Sequence, residues 1–202
     1  MSTPRAITGA AVFLVAYLSV TFAGALADRS LPLPDAPASD VAAYYSANPA
    51  AALVVAGLQV VSVLGFAVFA WTVARRPAMV VAGVSVLAMV VSSALTVALT
   101  LVAGSASPDT VQALRLGSFY AGGVVNVVTL GVFVLMTANG LARWFGYIAG
   151  GLATLSVLSL AFYYASALLP VGRVLSMVWT VVAAIVLART RPTGRTVSGS
   201  SR

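Results

Sequence analysis

Six apolar stretches, each about as long as a bilayer is thick, take up most of this 202-residue chain. An α-helix rises about 1.5 Å per residue, so about 20 apolar residues cross a hydrocarbon core of about 30 Å. A helix of a soluble protein keeps one polar face, and these stretches have none. The chain is therefore predicted to be all-α, a polytopic transmembrane bundle of six helices. The predicted spans are Ala6–Ala27, Ala50–Val73, Met79–Ala103, Ser118–Thr137, Trp144–Ala167 and Val171–Ala188.

The distribution of arginines predicts how the bundle is oriented. Cytoplasmic segments of membrane proteins keep an excess of Lys and Arg. With the N-terminus inside, the outer arginines are balanced by all the acidic residues of the chain, and the inner segments have none. The inner arginines are Arg5, Arg75, Arg76, Arg143, Arg189, Arg191, Arg195 and Arg202. The outer charges are Arg29, Arg115 and Arg173 with Asp28, Asp35, Asp40 and Asp109. The sequence thus predicts a multi-pass protein of the bacterial plasma membrane with both termini cytoplasmic.

Two regions are distinguished along the chain, a six-span transmembrane domain over 1–189 and a basic cytoplasmic tail over 190–202. The tail is rich in Pro, Gly and Ser and is predicted to be disordered. Its arginines suit anionic lipid headgroups at the cytoplasmic face, and nucleic acid is not an expected partner. One alternative is a signal-peptidase cut after the Ala25–Ala27 triplet, which would leave five spans. Two features argue against cleavage. The apolar stretch is longer than the apolar region of a signal peptide, which has about 7–15 residues, and Arg5 is the single basic residue before the stretch.

The two long outer loops are each predicted to contain a short amphipathic helix. In the first, Ser39 or Asp40 can cap a helix that ends at Pro49. In the second, Ser107 is the predicted cap and Gly117 the predicted break. Two interpretations are open: the helices anchor the bundle at the membrane surface, or they form a lid over an outward-opening cavity.

The residue types that are missing exclude most membrane chemistries. The chain contains no His, Cys, Lys or Glu. Proton relays built on His or Glu, haem ligation by His, and Ser–His catalysis are therefore unsupported. The four aspartates are scattered singly, and no span is expected to hold an ionised residue. The protein is predicted not to be an enzyme, with no catalytic, cofactor-binding or metal-binding residues.

Neutral polar residues cluster at one depth in the predicted bundle. Gln59 and Asn126 are the side-chain amides within the spans, and each lies about 13 Å below the outer boundary at helical rise. They satisfy one another between helices, or they line a small outward-opening pocket that suits a neutral amphiphile better than an ion. The predicted polar pocket consists of Tyr17, Gln59, Ser92, Thr96, Asn126, Ser156 and Thr180.

Two patterns of small residues predict close helix packing within one molecule. Gly146, Gly150 and Thr154 recur at intervals of four, which lets a neighbouring helix approach closely. In the third span a small or polar stripe recurs at helical spacing. The stripe consists of Ser85, Met89, Ser92, Thr96 and Thr100.

Three segments resemble a known family. They are SDVAAYYSANPAA before the second span, ARRP after it, and ARWFGYIAGGLA at the fifth. Together they resemble six-span integral membrane proteins of unknown function that are common in actinobacteria, over most of the chain. Since that family has no established activity, the resemblance implies a standalone bundle and no catalytic residue.

The predicted function is that of a non-catalytic integral membrane protein. It would bind a lipid or hydrophobic small molecule, or act as a membrane partner, and a homo-oligomer is compatible with the pattern. The alternative is a transporter of a neutral or amphipathic solute.

Overall fold

The structure, a computed structural model, describes residues 3–25, 27–28, 30–33, 35–138, 142–160 and 167–190. Within these residues the regular elements are helices. They are α1 (Thr3–Gly24), α2 (Ala38–Ala47), α3 (Pro49–Val73), α4 (Arg76–Val102), α5 (Pro108–Ser118), a π-helical segment (Phe119–Val125), α6 (Asn126–Thr137), α7 (Arg143–Leu155), a 3-10 segment (Ser156–Leu160) and α8 (Leu168–Thr190). The predicted all-α architecture is confirmed for this part of the chain.

Among the described residues, five helices are long and apolar enough to cross a membrane, which makes the chain a multi-pass helical membrane protein. The candidate spans are Thr3–Gly24, Pro49–Val73, Arg76–Val102, Pro108–Thr137 and Leu168–Thr190. In the region of the predicted span Trp144–Ala167, α7 and the 3-10 segment together reach Leu160. Residues 161–166 and the predicted tail beyond Thr190 lie outside the described residues. The sixth span therefore stays a prediction.

The second predicted loop helix is not a separate element. The predicted segment forms α5, which continues through the π-helical segment into α6, so that residues 108–137 form one continuous helix. Gly117 does not break it, because Gly117 lies against α4, where an added Cβ would be 3.1 Å from a Leu95 methyl. The predicted cap is confirmed, since the Ser107 hydroxyl accepts a hydrogen bond from the backbone N–H of Thr110 at 3.3 Å.

The first loop helix is a separate element, α2, and it covers one end of the bundle. The predicted caps Ser39 and Asp40 are wrong, because α2 begins at Ala38 with Pro37 before it, which places both residues inside the first turn. The buried face of α2 presents Val41 to Leu99, near the end of α4. The end of the bundle where α2 lies is called the α2 end below.

Glycines set the closest helix contacts. A Cβ added to Gly65 of α3 would lie 2.6 Å from the backbone N of Phe13 in α1, so the two backbones meet there with no room for a side chain. A Cβ on Gly131 of α6 would lie 2.7 Å from the carbonyl oxygen of Gly150 in α7. Packing within one molecule is thus confirmed for the Gly150 and Thr154 pattern.

The middle of the bundle is filled by aromatic and small side chains. Phe66, Phe69 and Phe133 are 0% exposed, and Trp179 is 2% exposed. The Trp179 Nε1 donates to the Ala142 carbonyl at 3.1 Å, which satisfies the indole within the protein. The predicted polar stripe of α4 is confirmed as an inward face, since all five of its residues are buried.

Candidate binding site

A cavity of about 370 Å³ lies at the α2 end of the bundle. Most known ligand pockets measure about 300–1,000 Å³ and combine an apolar lining with a few polar groups. Apolar residues of α1, α3 and the π-helical segment line this cavity. Its polar groups lie on α3, α4, α5 and α8, and on α2, which covers it. The polar lining consists of Tyr44, Tyr45, Gln59, Ser92, Thr96, Arg115, Ser118 and Arg173.

Arg173 is the most unexpected member of the lining. It is the sixth residue of α8, only 8% exposed, and lies within a candidate span. Its Nη2 donates to the carbonyl oxygen of Gly122 and to Asn126 Oδ1, the latter at 2.8 Å. Its guanidinium carbon lies 5.3 Å from the centre of the Tyr17 ring.

The expectation that no span holds an ionised residue is therefore wrong, as is the placement of Arg173 with the outer-loop charges. Arg173 already lies inside the predicted span Val171–Ala188, and in the structure its guanidinium is directed into the bundle. An Arg at the centre of a span costs about 2.5–3.5 kcal/mol on insertion scales, and Arg173 lies nearer one end of α8, where the cost is smaller. Charge-assisted hydrogen bonds and a cation–π contact of about 0.5–2 kcal/mol offset such a cost.

Asn126 is the residue that positions Arg173. Its Nδ2 donates to the Ser85 carbonyl oxygen at 2.9 Å and to Ser85 Oγ at 3.0 Å, both on α4. A carbonyl oxygen only accepts hydrogen bonds and a guanidinium only donates them. The amide nitrogen of Asn126 must therefore face the Ser85 carbonyl, and the amide oxygen must face Arg173. The Asn126 side chain as a whole links α4, α6 and α8.

The π-helical segment supplies the second acceptor for Arg173. An added Cβ on Gly122 would lie 2.6 Å from the Ser92 Cβ, so glycine lets this segment approach α4 closely. One turn earlier, the Ser118 hydroxyl contacts Ser92 Oγ at 3.1 Å and Thr96 Oγ1 at 2.9 Å. Short π-helical segments occur often at functional sites, because they shift backbone groups out of the regular α-helical pattern.

Arg115 supplies a second buried guanidinium. It is 8% exposed, and its Nη2 donates to the Pro32 carbonyl at 2.7 Å. Burial raises the pKa of Tyr45 above its ordinary 10.0, and the nearby Arg115 lowers it only in part. Tyr45 therefore stays neutral at physiological pH and gives Arg115 no negative partner.

No acidic side chain lines the cavity within the described residues. The chain has four acidic residues, Asp28, Asp35, Asp40 and Asp109, all of which the structure describes. The Nε atoms of Arg115 and Arg173 are buried and have no hydrogen-bond partner among the described residues. The interior of the cavity is thus positively charged. The neutral acceptors hold the two guanidiniums in place but do not balance their charge.

The structure separates the seven residues of the predicted polar pocket into three groups. Gln59, Ser92 and Thr96 line the cavity. Tyr17 and Asn126 contact Arg173, which lines it. The hydroxyls of Ser156 and Thr180 instead donate to carbonyl oxygens three residues earlier in the chain, and neither residue is part of the described lining.

Sequence reasoning missed the two arginines, Ser118 and the tyrosines of α2. The available signal for Arg173 was its position only two residues inside the predicted boundary of the last span. No local pattern shows that it meets Asn126, which is 47 residues away in the chain.

A second cavity of about 690 Å³ lies at the opposite end of the bundle. Thr72, Arg75 and Trp179 are part of its lining. None of the seven predicted pocket residues is part of its described lining.

Comparisons of the chain with models of protein families, with curated proteins and with solved structures found no match.

Proposed function

We propose that this protein is a non-catalytic, six-span membrane protein that binds a lipid or another amphiphilic molecule in the cavity at the α2 end. The observation that carries the proposal is the cavity itself. Its volume of about 370 Å³ suits a lipid headgroup or a small amphiphile. Its lining places guanidinium and hydroxyl groups beside apolar side chains such as Val20 and Leu31.

The roof of the cavity supports binding over simple surface anchoring by α2. Tyr44 and Tyr45 of α2 are 7% and 3% exposed, and both line the cavity. Residues that only anchor a helix at the membrane surface would be expected to face the bilayer. Here the aromatic face of α2 covers a space within the protein.

The proposed orientation has the α2 end on the outer side of the plasma membrane and both termini in the cytoplasm, and the positive-inside pattern of the arginines supports it. Fusions at the C-terminus test this orientation. A fluorescent protein should fold and fluoresce there, and alkaline phosphatase should be inactive. An active phosphatase at the C-terminus would contradict the proposed orientation.

The ligand proposal is tested by native mass spectrometry of the full chain purified in a mild detergent. The variant Val55→Trp fills the cavity, because Val55 of α3 lines it. The matched control is Val61→Trp, since Val61 is 48% exposed on the same helix and is not in the described lining. We expect a co-purified amphiphile with the natural protein and the control, and its loss from Val55→Trp. Absence of any bound amphiphile, or equal retention by both variants, would overturn the proposal.

Transport of an amphipathic solute is the second candidate, favoured by the two cavities at opposite ends. Along α3 the first cavity ends at Gln59 and the second begins at Phe69. Phe66, 0% exposed, lies between them, and its ring centre is 4.9 Å from that of Phe133. Transport would require this aromatic layer to open. Uptake of a labelled amphiphile into proteoliposomes, abolished by Val55→Trp and not by Val61→Trp, would favour transport over binding.

A further inference from the structure

We propose that the molecule bound at the α2 end carries an anionic group, a phosphate or a carboxylate, and that the guanidinium of Arg173 binds it. This inference rests on the proposed function, because it names the chemistry of the ligand in that cavity. It replaces the sequence-based expectation of a neutral ligand.

The cavity holds two buried positive charges. Two guanidiniums line one cavity, and each is 8% exposed. A buried charge is normally paired with an opposite charge. Here the acceptors of Arg173 are an amide and a backbone carbonyl, and the acceptor of Arg115 is a backbone carbonyl. All are neutral, so the positive charge is left for a ligand to balance.

Arg173 is held in position by two neutral acceptors. Asn126 and Gly122 both accept from Nη2 of Arg173, which fixes the side chain. Each planar pair of guanidinium N–H groups includes Nη2, whose two hydrogens are engaged here, so an anion would be bound through Nη1 by a charge-assisted hydrogen bond. Nη1 makes no hydrogen bond to the described residues and is the donor left for that contact.

The remainder of the lining distinguishes an amphiphile from a bare anion. Val20, Leu31 and Phe119 give the cavity an apolar wall. The hydroxyls of Ser118 and Thr96 are engaged with each other. The anion would therefore rest on the guanidinium, and its apolar substituent would contact the wall.

The test measures binding of defined probes to the full-length protein in a neutral detergent. The probes are short-chain phosphatidic acid, a diacylglycerol with the same chains, decanoate and inorganic phosphate. We expect phosphatidic acid to bind at least about tenfold more tightly than diacylglycerol, because one charge-assisted hydrogen bond contributes at least that much affinity. Tight phosphatidic acid with weak inorganic phosphate supports a lipid headgroup. Tight decanoate supports a carboxylate ligand, and equally tight inorganic phosphate supports a free anion.

Variants assign the charge to its residue. Arg173→Gln should lower the affinity for the anionic probe about tenfold or more and leave diacylglycerol binding unchanged. Arg173→Lys should retain part of the affinity. Arg76→Gln is the charge-matched control, because Arg76 is exposed on α4 and is not in the lining of either cavity. Arg115→Gln is an independent variant on another helix, in case Arg173→Gln does not fold.

The two proposals fail in different ways. Equal affinity for phosphatidic acid and diacylglycerol, or unchanged anion binding in both Arg173→Gln and Arg115→Gln, would overturn the anionic ligand and leave the binding function standing. Failure of all four probes to bind would overturn the proposed function together with this inference.

Discussion

Replacing Asn126 should destabilise the bundle chiefly by leaving Arg173 without its side-chain acceptor. Asn126→Leu keeps the side-chain size close to that of asparagine, so little cavity volume is created. It removes the 2.8 Å contact with Arg173 and the two hydrogen bonds to Ser85 at 2.9 and 3.0 Å. The buried guanidinium then keeps only the Gly122 carbonyl as a hydrogen-bond partner among the described residues.

The size of the effect follows from these contacts. A hydrogen bond to a charged group contributes about 1.5–3 kcal/mol, and helix–helix hydrogen bonds in membranes average about 0.6 kcal/mol. We therefore expect Asn126→Leu to lower the free energy of unfolding by about 2–4 kcal/mol. Much of that loss is the cost of an unpaired charge, so adding Arg173→Met should restore part of it. The expected coupling energy between the two positions is about 1.5–3 kcal/mol.

Unfolding by increasing the SDS fraction in mixed micelles, followed by the fluorescence of the three tryptophans, measures these values. The control cycle pairs Asn126→Leu with Ser62→Ala, which removes the 2.7 Å hydrogen bond from Ser62 to the Phe13 carbonyl. Those two changes share no partner and should add to within about 0.5 kcal/mol. If Asn126→Leu and Arg173→Met were equally additive, Asn126 would not be positioning the arginine.

Three further predictions concern helix contacts, capping and titration. Gly65→Leu should abolish the monodisperse protein in size-exclusion chromatography, since its Cβ would lie 2.6 Å from a backbone N in α1. Gly57→Ala has open space and should leave the profile unchanged, so a similar loss there would contradict the packing argument. Ser107→Ala should reduce the free energy of unfolding by about 1 kcal/mol through loss of the helix cap; an unchanged value would show that the cap is not used. Burial raises the pKa of Tyr45 in the folded state, so the unfolded state loses this proton at a lower pH than the folded state. The free energy of unfolding should therefore keep its full value below about pH 10 and decline above it. Tyr45→Phe should make that decline shallower when the free energy of unfolding is measured between about pH 9 and 11. The same slope in the variant and the natural protein would show that Tyr45 does not cause the decline.

Much of the architecture could be predicted from the sequence, because it depends on local properties. The length and apolarity of a segment decide whether it can cross a bilayer, and five candidate spans overlap predicted ones with different bounds. The Ser107 cap and the Gly150 packing position were likewise readable, since each depends on a few neighbouring residue types. The prediction at Gly117 was wrong, since the helix continues through it at a point where a side chain would crowd Leu95 of α4.

The chemistry of the cavity was decided by tertiary structure. The sequence shows that acids are few and that Gln59 and Asn126 have similar depths, but not which side chains meet. Arg173 lies two residues inside the predicted boundary of the last span, and only the packing of α8 against α6 brings its guanidinium to Asn126. Burial of a charge is a property of the assembled helices, because helices distant in the chain supply the acceptors and exclude the solvent. Local sequence therefore determined a membrane bundle, and only the packing of its helices created a positively charged cavity inside it.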